Sequence, residues 1–208
     1  MPTDNPFATH TTESIRKWFV YGVRNGFGLA VDGLTGRLWF TENGPEVYDE
    51  INVAESGMNS GWLPLMGPDS RDARYGANGN RAFDAADLVM LPGSVYRDPQ
   101  FSWLDPIGVT AMVFLRTDTF PRRLRDRLVV GDTNTGDLYL FKPRGRKRRT
   151  LKLTGGARDR VADTELERQI NRWGSDFGSV TDMRIGPDQN LYVLDLTTGT
   201  LWRVRPVP

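Results

Sequence analysis

The sequence predicts an all-β fold of the β-propeller kind, on three observations. A Gly/Asp/Thr turn leading into an alternating Leu-Trp or Leu-Tyr strand recurs at residues 32–42, 132–141, 186–195 and 195–204. Apolar segments are strand-sized throughout; the best, 127–131 and 191–196, fall far short of the ~18 residues of a membrane span. Gly and Pro together make 35 of 208 residues, which suits short strands joined by tight turns. A unit of four strands in about 40–50 residues is propeller-sized, and its faces need neighbouring units to bury them. The chain holds three or four such units.

Further strands are expected at 17–21, 28–31, 109–115, 127–131, 150–153 and 180–185. In the recurring units Asp and Gly serve the turn, since Gly accepts positive φ without steric cost. Only 164–173 carries helical spacing, through Leu166, Ile170 and Trp173, and without good caps it reads as a loop with a short helix. The stretch 66–92 is rich in Asp, Arg, Gly and Asn and reads as a long loop of functional or lid type. The run 143–149 holds Arg144, Arg146, Lys147, Arg148 and Arg149. It reads as a solvated hairpin tip, with an anion or partner contact as the other reading.

Composition narrows the function. With 27 Lys+Arg against 26 Asp+Glu, the net charge of +1 gives no global basic field for nucleic acid or a membrane surface. No Cys and one His exclude disulfide scaffolds, thiolate metal sites and His-rich zinc sites. Residues 1–7 are polar and lack the apolar core of a secretory signal. Walker loops and Gly-x-Ser-x-Gly elbows are absent, and Gly22, Gly26 and Gly28 have the wrong spacing for a dinucleotide fingerprint.

The densest motifs lie in 20–62. They read Gly22-Val-Arg24-Asn25, then Asn43-Gly44-Pro45, then Asp49-Glu50-Ile51-Asn52, then Gly57-Met-Asn-Ser60-Gly-Trp62. In order and spacing this resembles the glucose/sorbosone dehydrogenase family, the soluble pyrroloquinoline-quinone (PQQ)-dependent aldose sugar dehydrogenases. Weaker similarity runs on through Asp98-Pro-x-Phe-Ser-Trp103, Gly186-Pro-Asp-x-x-Leu-Tyr-Val-Leu194 and Leu201-Trp-Arg-Val204. The whole chain resembles the second half of a typical member, a single C-terminal part of the domain over 1–208.

The resemblance implies a six-bladed propeller, here an open part-ring of about three to four blades, with PQQ over the central channel. It implies a Ca²⁺ bridging the quinone to the carbonyls of Gly44 and Pro45, which suits a hard cation. Read alone, Asn43-Gly44-Pro45 is simply a turn. Arg24 and Asn25 match a pair that reaches the cofactor; Arg24 could equally bond loop carbonyls. Glu50 matches a ligand of a second, structural Ca²⁺, joined by the carbonyl of Ser60, although Asp49 and Glu50 also read as an exposed acidic pair. Trp103 matches an aromatic near cofactor and substrate, and is otherwise a core Trp. A periplasmic or secreted location and an aldose substrate follow from the same resemblance.

The departures are specific. The family's catalytic His lies in its first half, and His10 matches no motif and reads as a surface residue. Asn43 replaces the His before Gly-Pro, Asn134 a cofactor Lys, and Ser179 and Thr181 two cofactor Arg. Charge-assisted contacts contribute about 1.5–3 kcal/mol each, so losing three weakens quinone binding by orders of magnitude. Two functions remain: a sugar dehydrogenase completed by an N-terminal half that supplies the base, or a non-catalytic, calcium-stabilised module binding a carbohydrate or protein partner.

Overall fold

A computed structural model describes residues 4–74 and 84–207, without the side chains of 72–74. Part of the expected loop 66–92 therefore lies outside the described residues. The chain is nearly all-β. Its strands are β1 (Val20–Tyr21), β2 (Leu29–Val31), β3 (Leu38–Glu42), β4 (Asp49–Val53), β5 (Met58–Asn59), β6 (Val95–Tyr96), β7 (Phe101–Trp103) and β8 (Val109–Phe114). They continue as β9 (Leu128–Asp132), β10 (Leu138–Phe141), β11 (Pro143–Arg144), β12 (Thr150–Leu151), β13 (Val161–Ala162), β14 (Arg172–Gly174), β15 (Val180–Ile185), β16 (Leu191–Asp195) and β17 (Leu201–Val204).

Three sheets stack side by side, in the orders β13-β7-β4-β3-β2, β14-β10-β9-β8 and β15-β16-β17. Their first strands, β2, β8 and β15, are neighbours, with β8 in the middle, which is a propeller-like arrangement. The middle sheet is four-stranded and antiparallel, as expected; the first gains β13 as a parallel edge and the third has three strands. A separate sheet, β1-β5-β6, is parallel throughout and follows from none of the sequence patterns.

Alternation explains the core. In β9, Leu128 and Val130 face the first sheet while Val129 faces the third, so all five strand residues are buried. Trp39, Ile51, Phe101, Trp103, Tyr139 and Phe141 fill the gap between the first two sheets. Each such side chain contributes about 1.5–3 kcal/mol by leaving water. Ala111, Leu138, Val180, Met183 and Val193 fill the second gap. Threonines fasten the inner strands across the gaps. Thr41 Oγ1 accepts from Gly28 N at 2.8 Å and donates to the Thr110 carbonyl at 2.9 Å, and Thr110 Oγ1 donates to the Val180 carbonyl at 2.5 Å. A Cβ on Gly28 would strike the Thr110 carbonyl, so only glycine lets β2 and β8 approach this closely.

Several expectations need correction. Leu38, Leu138 and Leu191 open inner strands, but the fourth strand of this signature, β17, is an edge, with Leu201 61% exposed. Of 17–21 only Val20–Tyr21 is strand, because residues 15–17 form a 3-10 turn. Helix α1 (Glu165–Ile170) does carry a cap: Thr164 accepts from Glu167 N. It presents Leu166 to solvent, while Trp173 belongs to β14. The basic run is a hairpin tip as expected, yet not wholly solvated. Arg148 reaches back to buried Asp32 at 2.5 Å and Arg149 pairs with Glu55.

Candidate functional site

Antiparallel strands bring alternate turns to one end of the stack, and there the motif residues meet. Asn43 follows β3. Its backbone N donates to the Asn25 carbonyl at 3.0 Å, and its Nδ2 donates to the Val109 carbonyl at 2.7 Å. Arg24 Nη1 donates to the Asn43 carbonyl at 2.8 Å, and the guanidinium lies 5.3 Å from the centre of the Trp62 ring. Asn25 is exposed beside it. Arg24 thus bonds a loop carbonyl, the structural arrangement that the sequence left open.

Asp49 ties this corner to β8. Its carboxylate is fully buried and accepts from Gly44 N at 3.1 Å, Gly108 N at 2.6 Å and Val109 N at 3.1 Å. Burial pushes its pKa up, and the Val109, Gly44 and Gly108 amides oppose that rise. Gly44 is required sterically, since a Cβ there would run into the Val47 and Tyr48 carbonyls. Pro45 stands exposed at the tip of the turn.

Behind the corner lies a buried acidic pair. Glu42 and Glu50 are cross-strand partners on β3 and β4, each 1% exposed. Glu42 accepts from Arg24 N at 2.5 Å and from Ser60 Oγ at 3.0 Å; Glu50 accepts from Gly67 N at 2.5 Å and Asn52 Nδ2 at 2.8 Å. Burial pushes the Glu42 pKa up to about 7, against the Arg24 amide and Ser60 hydroxyl that lower it. Glu50 is held well above the usual carboxylate range by burial and then by the Glu42 charge. Asp49 and Glu50 are therefore not an exposed acidic pair. The Ser60 hydroxyl bonds Glu42 rather than Glu50, whose carboxylate is engaged by Gly67 and Asn52. Sequence reasoning missed Glu42, although alternation along β3 puts it on the same face as Phe40.

The remaining cofactor candidates sit apart in kind. Trp103 is 1% exposed, its ring 4.9 Å from Phe101 and 5.2 Å from Tyr139, so it is a core Trp. Asn134, Ser179 and Thr181 are uncharged and bond nearby carbonyls and hydroxyls, with Ser179 N also donating to the Asp195 carboxylate at 2.8 Å. Asn134 N donates to the Ile107 carbonyl, Ser179 Oγ to the Thr133 carbonyl at 3.0 Å, Thr197 Oγ1 to Ser179 Oγ at 2.8 Å, and Thr181 Oγ1 to the Leu194 carbonyl. Arg24 is the only basic residue in the turns 22–27, 43–48, 105–108, 132–137, 174–179 and 195–200, which carry Glu46, Asp105, Asp132, Asp137, Asp176 and Asp195. His10 is half-buried, its Nδ1 accepting from Thr12 N at 3.0 Å.

The glucose/sorbosone dehydrogenase family model matches residues 1–203. The chain belongs to that family. It is 31% identical to the aldose sugar dehydrogenase YliI of Escherichia coli K12 over 99% of this chain and 48% of that protein. Its fold is similar to a glucose dehydrogenase, with a TM-score of 0.72 and 26% identity over 100% of this chain and 51% of that one. The soluble aldose sugar dehydrogenase of Escherichia coli, in its apo-form, gives a TM-score of 0.65 at 28% identity over 93% of this chain and 47% of that chain. The chain thus spans about half the length of the relatives it matches. Among the described residues, no helix is long and apolar enough to cross a membrane.

Proposed function

We propose that the chain supplies half of a six-bladed, sugar dehydrogenase-like propeller, its three stacked sheets forming one wall of the site at the Arg24–Gly44 end. The reaction class is oxidation of an aldose at its C1 hydroxyl. The observation that carries this reading is the corner itself: Arg24, Asn25, Asn43 and Gly44 are gathered at one turn and locked onto β8 through Asp49. Gly44 and Pro45 are the carbonyl donors we propose for the quinone-bridging calcium. A periplasmic or extracellular setting fits the same family reading.

PQQ carries three carboxylates, and these residues do not fit it as its sole holders. Arg24 is the one guanidinium in turns that carry six acids, of which Asp105 and Asp137 pair with Arg168 and Arg172, and Asn134, Ser179 and Thr181 are neutral. A structural Ca²⁺ fits better. The buried Glu42–Glu50 pair lies beside Asn52 Oδ1, and Ser102 Oγ is on the residue opposite Glu50; neither oxygen has a hydrogen-bond partner among the described residues. We assign Glu42, Glu50 and neutral oxygens of this cluster, with Ser60, as its ligands, where the cation neutralises two buried charges. Among the described residues no three acidic or imidazole groups converge, so two carboxylates plus neutral oxygens is the set available.

The flanks fit a complementary half. An apolar cleft of about 640 Å³ opens along Trp18, Phe19, Phe27 and Leu29, and Leu194 and Leu201 are bare on the far sheet. The uncharged side chains at 134, 179 and 181 favour a second reading, a calcium-stabilised module that binds a carbohydrate or protein without catalysis. Dye-coupled aldose oxidation with added quinone and Ca²⁺ separates the two. The 208-residue protein is expected to show no turnover alone, since a base at the sugar hydroxyl is missing. Turnover on adding a polypeptide with the first half of the family fold supports the dehydrogenase; none supports the module. Robust turnover by the chain alone would refute both.

A further inference from the structure

The end opposite Arg24 and Gly44 has a different character. Five connections interlock there. Arg37 Nε donates to the Lys147 carbonyl at 2.6 Å, Arg148 Nη2 to the Asp126 carbonyl at 2.6 Å, and Thr117 Oγ1 to the Gln189 carbonyl at 2.6 Å. Arg149 adds an ion pair to Glu55 at 3.4 Å. So the turns 32–37, 54–57 and 186–190, the loop 115–127 and the tip 142–149 make one continuous surface. Loop and tip alone hold eleven of the chain's 27 Lys and Arg, and two of its 26 acidic residues. Arg116, Arg122, Arg123, Arg125, Lys142, Arg144, Arg146, Lys147 and Arg149 are exposed. Most acids of this end are already engaged: Asp32 by Arg148, Asp118 by Arg125, Asp188 by Arg203, and Glu55 by Arg97 and Arg149; the half-buried Asp126 carboxylate alone has no cation partner among the described residues.

We propose that this basic end docks on an anionic membrane surface by reading lipid phosphates. A bilayer is planar and responds to net charge spread over area, which is what these contacting turns from three adjacent sheets present. Guanidinium forks suit phosphate oxygens. A polar hollow of about 390 Å³ lies between Arg116 and Arg125, but Asp118 and Asp126 also line it, so the phosphates are met by the exposed cations around it rather than inside it; Leu34, half exposed at its rim, can meet acyl chains. Single-stranded nucleic acid is disfavoured because these segments expose no aromatic ring on which a base could stack; their one aromatic, Phe120, is 2% exposed.

The test is flotation of the 208-residue protein with vesicles of phosphatidylcholine, with or without equimolar phosphatidylglycerol. Binding is expected only to the anionic vesicles, and is lost near 1 M salt, where the screening length falls to about 3 Å. Replacing Arg144, Arg146 and Lys147 by Gln touches no side-chain ion pair of the tip, so melting should hold. Partitioning should fall about 100-fold, on the order of fivefold per cation. Arg122→Gln with Arg123→Gln, on the separate loop, should give about 25-fold by the same reasoning. Equal binding to neutral vesicles, or no change in either variant, overturns the proposal. So does capture of duplex DNA by a protein that leaves the anionic vesicles empty.

Discussion

Glu42→Gln tests the buried acidic pair directly. The Glu42 pKa rises from an ordinary 4.5 to about 7, chiefly through burial. The folded protein therefore holds the proton more tightly than the unfolded chain does. Its stability contribution is complete below the unfolded value and is lost as pH climbs from about 4.5 to about 7. About 2.5 pH units at ~1.4 kcal/mol each makes a loss of roughly 3 kcal/mol by pH 8 without calcium. Glutamine mimics the protonated acid: it still accepts from Arg24 N and can donate to Ser60 Oγ. In chelator at pH 8 the variant should melt about 6–12 °C above the wild type, at 2–4 °C per kcal/mol for a chain of this size. As pH falls to 4.5 the two should converge. Calcium should raise the wild-type melting temperature and leave the variant nearly unmoved. Calorimetry from pH 4.5 to 8.5, with chelator and with Ca²⁺, is the assay. A wild type whose stability in chelator rises over that range would refute the argument.

Two further substitutions probe the corner and the basic end. Gly44→Ala forces a Cβ against the Val47 and Tyr48 carbonyls and should cost about 2–4 kcal/mol in urea unfolding; a neutral result would mean the turn at 43–48 opens easily. Arg148→Ala leaves the 1%-exposed Asp32 carboxylate without its cation and should cost about 3 kcal/mol, while Arg146→Ala, at the exposed tip, should stay within about 0.5 kcal/mol. Equal effects would deny any burial difference along the tip.

What the sequence made legible is local chemistry. The turns before Leu38, Leu138 and Leu191 show themselves because Asp, Gly and Thr are needed within a few residues of one another. The motif corner is readable for the same reason, since Arg24, Asn43, Gly44 and Asp49 lie on successive strands and turns. The failures are non-local. Leu201-Trp202 has the same signature as Leu38-Trp39, and only the absence, among the described residues, of a further strand paired in the third sheet makes it an edge. Strands of two residues such as β1 and β5 are too short to alternate, so their parallel pairing leaves no trace. Thr164, by contrast, was readable: Glu167 three residues later is a capping signal. Arg148 could not be told from Arg146 without knowing that Asp32 is folded beneath it.

The charge distribution shows the same limit on a larger scale. A net charge of +1 argues against attraction to any polyanion only if charges are mixed. Here topology sorts them. Antiparallel strands send successive turns to opposite ends, and the two strongly basic segments, 115–127 and 142–149, fall at one end while the acidic turns 132–137, 174–179 and 195–200 fall at the other; the turn 186–190, with Asp188, is the acidic exception at the basic end. Averaging over the sequence cancels what the fold separates. The separation also orients the molecule. A surface engaged by the arginines of one end leaves Arg24, Gly44 and the acidic turns at the other end facing bulk solution.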